Sequence, residues 1–371
     1  MSSPVRIAFI GLGGRGREAV ERILRIEDAT IACLCDYKKE NTDAALETVA
    51  AAGRTEPFSC WGEDSWKEAC GRPEVDLVYI CTPWHMHAEQ SIYAMEHGKH
   101  VAVEVPAAMT VADCHRLVET STRTGRQCMM LENCVYGEFE LNAINMARKG
   151  LFGDLVHAEC GYMHIFDPKR ELWRHQYNME HRGDLYPTHG IAPVSIALGL
   201  NREDRMVSLV SMDSASFQQK DKHNGDHTTT IIRTALGRTI VMQHDICSPR
   251  EYSRGFLLSG TKGMIAEYPI PQIYLDSEAK NAEQIDALMK EYRHPFLTEG
   301  GRGEWAKTVG RHDGMDSLMD YRLIHALANG LPLDMNVYDA ALWSSLIELT
   351  EQSIGRGFCA VDVPDFTGKI N

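Results

Sequence analysis

The chain has 371 residues, of which 44% are hydrophobic and 24% charged, the balance of a globular protein long enough to need two cores. Its formal net charge of −14 argues against nucleic acid or an anionic membrane as the main partner. No apolar run approaches a membrane span, no basic-then-apolar leader precedes the first strand, and the eleven cysteines are scattered without a C-x-x-C pair, so free thiols in a cytoplasmic protein are expected.

Residues 5–16 read VRIAFIGLGGRG. An apolar run through Val5, Ile7, Phe9 and Ile10 leads into Gly11, Gly13 and Gly16 at G-x-G-x-x-G spacing, with Gly14 and Arg15 inside the turn. The stretch that follows carries Ala19, Val20, Ile23 and Leu24 at helical spacing. Strand, glycine turn and helix in this order suit a dinucleotide pyrophosphate. The glycines allow the tight turn and close backbone approach, and the helix N-terminus faces the anion. The next run, TIACLCD, ends in Asp36, a carboxylate that accepts hydrogen bonds from the adenosine ribose and repels a 2′-phosphate, so NAD is the expected cofactor. Lys38 and Lys39 keep NADP as an alternative.

Helical and apolar segments then alternate. VDLVYIC at 75–81 is a nearly continuous apolar run, as expected of a strand covered on both faces. A loop containing Thr82, Pro83 and His87 and an amphipathic helix ending at Gly98 come next, then the strand HVAVEVP. A helix opened by the Thr110 and Asp113 pair follows, then a sixth strand in QCMMLENC. This order predicts a Rossmann-type doubly wound parallel sheet over 1–130. Beyond it, longer strands are expected in GDLVHAECGYMHI, DRMVSLVSMDSASF and RGFLLSGTKGMIAEY, with a hairpin around Gly237. Residues 131–371 are therefore expected to form an α+β domain with a large open, mostly antiparallel sheet. The segments 276–293 and TEGGRGEW read as surface insertions. An open sheet face seeks a partner, so a homo-oligomer is expected.

The segment CTPWHMHAEQSIYAMEHGKHVAVEVP at 81–106 resembles the glucose–fructose oxidoreductase / inositol dehydrogenase (Gfo/Idh/MocA) superfamily. In that superfamily a T-P-x-x-x-H loop (here Thr82, Pro83 and His87) lies beside the nicotinamide. A Glu-Lys-Pro motif with a catalytic lysine follows; here it reads Glu104-Val105-Pro106, without the lysine. LENCVYGEFE, GDLYPTHGIAPV, SPREYSRGFLLSGTKG and HDGMDSLMDYRL resemble one branch, glycoside hydrolase family 109, whose members cleave N-acetylgalactosaminides or other hexosaminides with bound NAD. The resemblance implies catalytic roles for His189 and Tyr186 of Y-P-T-H, Tyr136 after N-C, and Tyr252 of the P-x-x-Y-S-R segment. It implies substrate binding by Arg174 and Trp173 of W-R, and cofactor contacts from Glu104, Val105 and Asn133. Glu251 stands where the branch usually carries a second proline.

The implied reaction oxidises the sugar at C3, removes the acidified C2 proton, eliminates the C1 substituent, adds water and re-reduces C3. It needs a base for the C3 hydroxyl, for which His189 is the first choice, and a base at C2, for which Tyr252 or Tyr136 serves. A phenol in that role must be lowered from about 10 by cations, and the positive nicotinamide ring, Arg174 and Arg250 are the expected sources. The scattered histidines at 157, 164, 175 and 181 lack metal-ligand spacing, and His85 with His87 reads as a nicotinamide-site histidine and a bystander, so no metal is expected. Trp84 is a second candidate for a sugar-stacking wall. The alternatives are a sugar or inositol dehydrogenase with net hydride transfer and a non-catalytic NAD-binding regulator. The missing lysine speaks against the first and the density of polar motifs against the second.

Overall fold

The computed structural model describes residues 4–165 and 172–368. The chain divides into two compact units, Met1–Glu132 with Gly301–Ala341, and Asn133–Gly300 with Leu342–Asn371.

In the first unit the chain runs β1 (Val5–Ile10), α1 (Gly14–Ile23), β2 (Ala29–Asp36), α2 (Lys39–Ala51), β3 (Phe58–Trp61), α3 (Ser65–Gly71), β4 (Leu77–Ile80), α4 (Trp84–Glu96), β5 (His100–Val103), α5 (Val111–Thr124) and β6 (Cys128–Met130). The six strands pair in parallel in the order β3-β2-β1-β4-β5-β6. The order reverses between β1 and β4, which places the ligand crevice of such a sheet beyond the ends of those two strands. Leu77, Val78, Tyr79 and Ile80 are fully buried, as a strand covered on both faces requires. Thr110 caps α5 by accepting the Asp113 N–H at 3.1 Å.

The second unit holds α6 (Glu138–Arg148), β7 (Leu155–Met163), α7 (Leu172–Glu180), α8 (Thr188–Leu198), β8 (Met206–Asp213), β9 (His227–Thr234), β10 (Thr239–Asp245), β11 (Leu257–Gly260), β12 (Gly263–Ala266), β13 (Gln272–Leu275), β14 (Glu278–Ala279), α9 (Ala282–Glu291) and α10 (Pro295–Thr298). Its sheet runs β14-β13-β12-β11-β7-β10-β9-β8, and a final strand, Val361–Asp362, pairs with β8 as the ninth. All neighbours are antiparallel except β7 and β10. The β9–β10 hairpin turns at Gly237 with φ +85°. Inner-face residues Ala158, Cys160, Ile232, Ile240, Met242 and Leu258 are buried, and α8 packs on β7.

Two sequence expectations need correction. The first unit is discontinuous: α11 (Arg302–Val309), α12 (Met315–Ala328) and the start of α13 (Val337–Gly355) return to it. Arg22 on α1 donates to Asp320 on α12 at 2.7 Å, and the Tyr79 hydroxyl donates to the same carboxylate at 2.8 Å, all three buried. A buried charge is stable only when paired and hydrogen-bonded, so this triad ties α12 to the parallel sheet. Of the segment TEGGRGEW, Gly303 is buried on α11, which packs against α12, and the rest is exposed or half-buried. The other correction concerns His85 and His87, which lie in α4 and not on a loop. Pro83 takes the N-cap position at φ −62°, where a proline sacrifices no hydrogen bond, and the helix starts at Trp84.

Candidate functional site

The glycine turn of the first unit is shaped for close approach. A Cβ on Gly11 would lie 2.7 Å from the Cys81 carbonyl carbon and 2.9 Å from the Thr82 nitrogen, and one on Gly16 would lie 1.9 Å from the Gly11 oxygen. Only glycine lets the turn after β1 meet the turn after β4, and only glycine seats α1 on β1. Nothing lies within 4 Å of a Cβ built at Gly13 or Gly14, and no side chain caps α1. The helix thus presents uncapped N–H groups to open space, the arrangement that receives a phosphate.

Asp36 ends β2 with its carboxylate pinned. One oxygen accepts the Leu12 N–H at 2.6 Å, and the other accepts the Lys38 N–H at 2.8 Å and the Asn41 amide at 2.9 Å. A carboxylate offers about four lone-pair sites, so three donors fix its direction and leave capacity for a ribose hydroxyl. This cradle fits NAD, whose pyrophosphate the turn would hold and whose ribose Asp36 would accept from.

The remaining residues expected at the cofactor are held by bonds within the fold. Arg15 donates to Glu104 at 2.5 Å and to Asp316 at 2.7 and 3.1 Å. Burial disfavours the Arg15 charge, but the two carboxylates raise its pKa well above the ordinary value. Burial likewise disfavours ionised Asp316, yet the His312 and Arg15 hydrogen bonds hold it well below the usual carboxylate range. His87 is buried, with Nδ1 2.6 Å from the Pro106 oxygen and Nε2 2.7 Å from the Thr82 oxygen. It clasps the segments after β4 and β5. The Thr82 hydroxyl donates to Gln90 at 2.7 Å. Val105 and Trp84 are buried.

In the second unit the sequence-predicted groups largely converge. Gly190 in the first turn of α8 rests on β7: a Cβ there would lie 2.5 Å from the Gly161 nitrogen. That descent sets the His189 ring 5.3 Å from the Tyr162 ring and 4.7 Å from the Tyr186 ring, edge-on to both. Tyr186 is held through its N–H, which donates to buried Asp184 at 2.9 Å. The Arg174 guanidinium on α7 lies 5.0 Å from the Tyr186 ring centre and 5.1 Å from that of Trp173. Tyr252 meets Tyr162 at 6.2 Å and His164 at 5.4 Å. Tyr136, in the short turn Asn133–Tyr136, is buried and stacks on Phe296 at 6.5 Å.

Tyr162, Arg254, Glu140 and Glu267 are not singled out by the sequence, and His164 enters there only as a histidine without metal-ligand spacing. Tyr162 and His164 have a signal: they alternate at the end of GYMHI, so a strand there puts both on one face. The Tyr252 hydroxyl accepts from Arg254 at 3.0 Å. Arg250 lies 4.0 Å from Asp245 and is half-exposed, so Arg254 supplies the cation at this phenol. Although Tyr252 is 43% exposed, desolvation pushes its pKa up to about 12 against the pull of Arg254. Burial therefore outweighs the lowering expected from neighbouring cations.

Residues 5–132 match the family model described as oxidoreductase family, NAD-binding Rossmann fold, and residues 165–370 match that of the glycosyl hydrolase 109 C-terminal domain. Levoglucosan dehydrogenase, solved with NADH and levoglucosan, shares the fold at a TM-score of 0.76 and 20% identity, covering 98% of this chain and 100% of its own. An inositol dehydrogenase homologue of Azotobacter vinelandii, solved with NADH and myo-inositol, does so at 0.74 and 18%, covering 97% and 98%. The fold is that of these oxidoreductases, and the glycine cradle lies in the part of the chain that matches the NAD-binding family model. A glycosyl hydrolase family 109 protein of Phocaeicola vulgatus is 46% identical over 98% of this chain and 84% of its own length. The alpha-N-acetylgalactosaminidase of Bacteroides fragilis is 42% identical over 98% and 92%. The chain belongs to glycoside hydrolase family 109 and is an NAD-dependent glycosidase.

Proposed function

We propose that this enzyme hydrolyses N-acetylhexosaminides or related glycosides through transient oxidation at C3, with N-acetyl-α-galactosaminides, the substrate class in the name of the Bacteroides fragilis relative, the first to test. The observation that carries this is the pairing of His189 and Tyr252 around Tyr162. A single hydride transfer needs one base, and this cluster holds an imidazole and a phenol. The carboxyl groups of Glu140 and Glu267 are engaged with Arg254, so the paired-carboxylate route of most glycosidases has less support.

NAD+ held by the glycine cradle would supply a reversible two-electron acceptor for C3. His189 takes the C3 hydroxyl proton as the ketone forms and returns it at the end of the cycle. Tyr252 acts as phenolate, the form that Arg254 stabilises and burial opposes: it takes the proton from C2, which the neighbouring ketone has acidified, and becomes phenol. The electron pair left at C2 expels the C1 substituent. The departing oxygen takes a proton from the incoming water, whose hydroxide adds at C1, and Tyr252, its proton exchanged with solvent, protonates C2. Arg174 and Trp173 hold the sugar, and Tyr186 orients His189. Val105 occupies the place of the lysine on which ordinary dehydrogenases of the superfamily rely, which favours a closed redox cycle over net oxidation.

Hydrolysis of para-nitrophenyl N-acetyl-α-galactosaminide in D2O tests this. Deuterium should appear at C2 of the released sugar, with the original C3 hydrogen retained and no stoichiometric NADH. Thioglycosides should also be cleaved, because departure from an enolate needs little protonation of the leaving atom. Product without C2 deuterium would refute the mechanism. One NADH per sugar consumed would establish the dehydrogenase alternative.

A further inference from the structure

We propose that Arg254 is a positioning residue for the C2 base: it aims the Tyr252 hydroxyl and biases it toward the phenolate, and Glu140 and Glu267 hold the guanidinium in place. This rests on Tyr252 being that base.

Ser253 exchanges both backbone hydrogen bonds with Met163, at 2.9 and 3.1 Å. The extended backbone at Ser253 puts Tyr252 and Arg254 on the same side of the strand. Arg254 is 7% exposed. Its Nε donates to Glu140 Oε1 at 3.0 Å, its Nη2 donates to the same oxygen and lies 3.5 Å from Glu267 Oε2, and its Nη1 donates to the Tyr252 oxygen at 3.0 Å. Glu140 is buried, and its carboxylate folds back over Gly137, where a Cβ would lie 2.0 Å from Oε2 at the movable end of the side chain.

One carboxylate is enough to neutralise a buried guanidinium. This one has two carboxyl partners and still directs a separate N–H at a phenol in the functional cluster. Arginine stays protonated at every working pH and has no acceptor. Its bond therefore makes the Tyr252 oxygen an acceptor and leaves the phenol's own proton free to point elsewhere. It also stabilises the phenolate more than the phenol. The groups facing the guanidinium are Glu140 on α6, Glu267 and Tyr268 after β12, Tyr252 on its own segment, and Cys134 in the turn before α6. Burial and the Glu140 charge push the Glu267 carboxyl up to about 8. Near neutrality Glu267 keeps its proton, so Glu140 alone offsets the guanidinium. Above that pH a second negative charge forms beside Arg254.

The test uses the full-length holoenzyme, para-nitrophenyl N-acetyl-α-galactosaminide, and the variants R254K, R254M, Y252F and Y252F/R254K. R254M should lower kcat on the order of 10- to 100-fold with KM within about threefold, and should move the acidic limb of the kcat–pH profile upward. R254K should recover part of the loss. Single-turnover formation of NADH should persist in R254M while C2 deuterium exchange slows with kcat. In the Y252F background R254K should cost less than about twofold, because the two residues act as one unit. Additive losses, equal loss of hydride transfer and exchange, or an unmoved pH profile would overturn the proposal. Should R254M fail to fold, R254K and the double variant decide it alone. Full turnover by Y252F would instead overturn Tyr252 as the base, a result separable from the failure of Arg254.

Discussion

Asp36 shows how one side chain sets a cofactor preference. Three donors hold its carboxylate at the end of β2, where a 2′-phosphate would meet a fixed negative charge. Asp36→Ala should therefore narrow the preference for NAD over NADP, read by fluorescence titration of stripped protein. Tighter binding of NADP by the wild type would contradict the assignment. The catalytic side chains are separable by which step fails. His189→Ala should reduce hydride transfer and overall turnover together, by about 10²–10⁴-fold, since the C3 hydroxyl must lose its proton as hydride leaves. Tyr252→Phe should leave the first oxidation competent and stall the enzyme with NADH bound. Tyr136, stacked on Phe296, is the other candidate; full turnover in both phenylalanine variants would exclude either as the C2 base. At this scale the sequence exposed the residue types but not their partners. Tyr252 was legible in its motif, whereas the cation beside it was not, because Arg250 and Arg254 flank it equally in the chain and only the fold points one of them at the hydroxyl.

Elements place these groups through a few close approaches. Gly190 lets α8 sit directly on β7. Gly190→Ala should destabilise the protein by about 1–3 kcal/mol, because backbone atoms at Gly161 cannot yield as a flexible side chain would. Turnover should fall further than stability implies, since the shift carries His189 away from Tyr162; urea unfolding beside kcat would measure both. On α12, Asp316 stays ionised well below the usual carboxylate range because His312 and Arg15 outweigh its burial. A depressed carboxylate pKa contributes stability that is present above the unfolded value, about 3.9, and is lost as pH falls through the folded one. The His312 pKa is raised, chiefly by its hydrogen bond to Asp316, so its smaller contribution is present below about pH 6.5 and lost as pH rises through its folded value. Asp316→Asn should cost about 3–5 kcal/mol at neutral pH, and the gap to wild type should shrink in urea titrations below pH 4. The parallel strands were legible because burial on both faces writes them as apolar runs. The start of α4 is hidden in the sequence because Pro83 looks like loop chemistry although a proline fits the entrance of a helix.

On the scale of the whole molecule, the nine-stranded sheet keeps one face open. Ile231, Met212 and Tyr274 are about half exposed on β9, β8 and β13, and among the described residues no helix is long and apolar enough to cross a membrane. We expect a second copy of the chain to cover this face. Light scattering should then give more than the mass of one chain, and Ile231→Asp should shift the population toward one chain. A wild-type mass of one chain would rule out self-association there.

The sequence by itself determined the parallel sheet, the glycine cradle, the choice of NAD and the family, because each is written in contiguous residues: apolar runs, a turn only glycine can make, and local motifs. It also named His189, Tyr186, Tyr252 and Arg174 as a set. Only the tertiary structure decided that 301–341 belong with the first unit, that His87 is a clasp, and that Arg254 is gripped by Glu140 and Glu267 while donating to Tyr252. These are pairings across 114 residues for Arg254 and Glu140, and 298 for Arg22 and Asp320. No local pattern encodes them, since a buried charge reports that it needs a partner without saying which one the fold will bring.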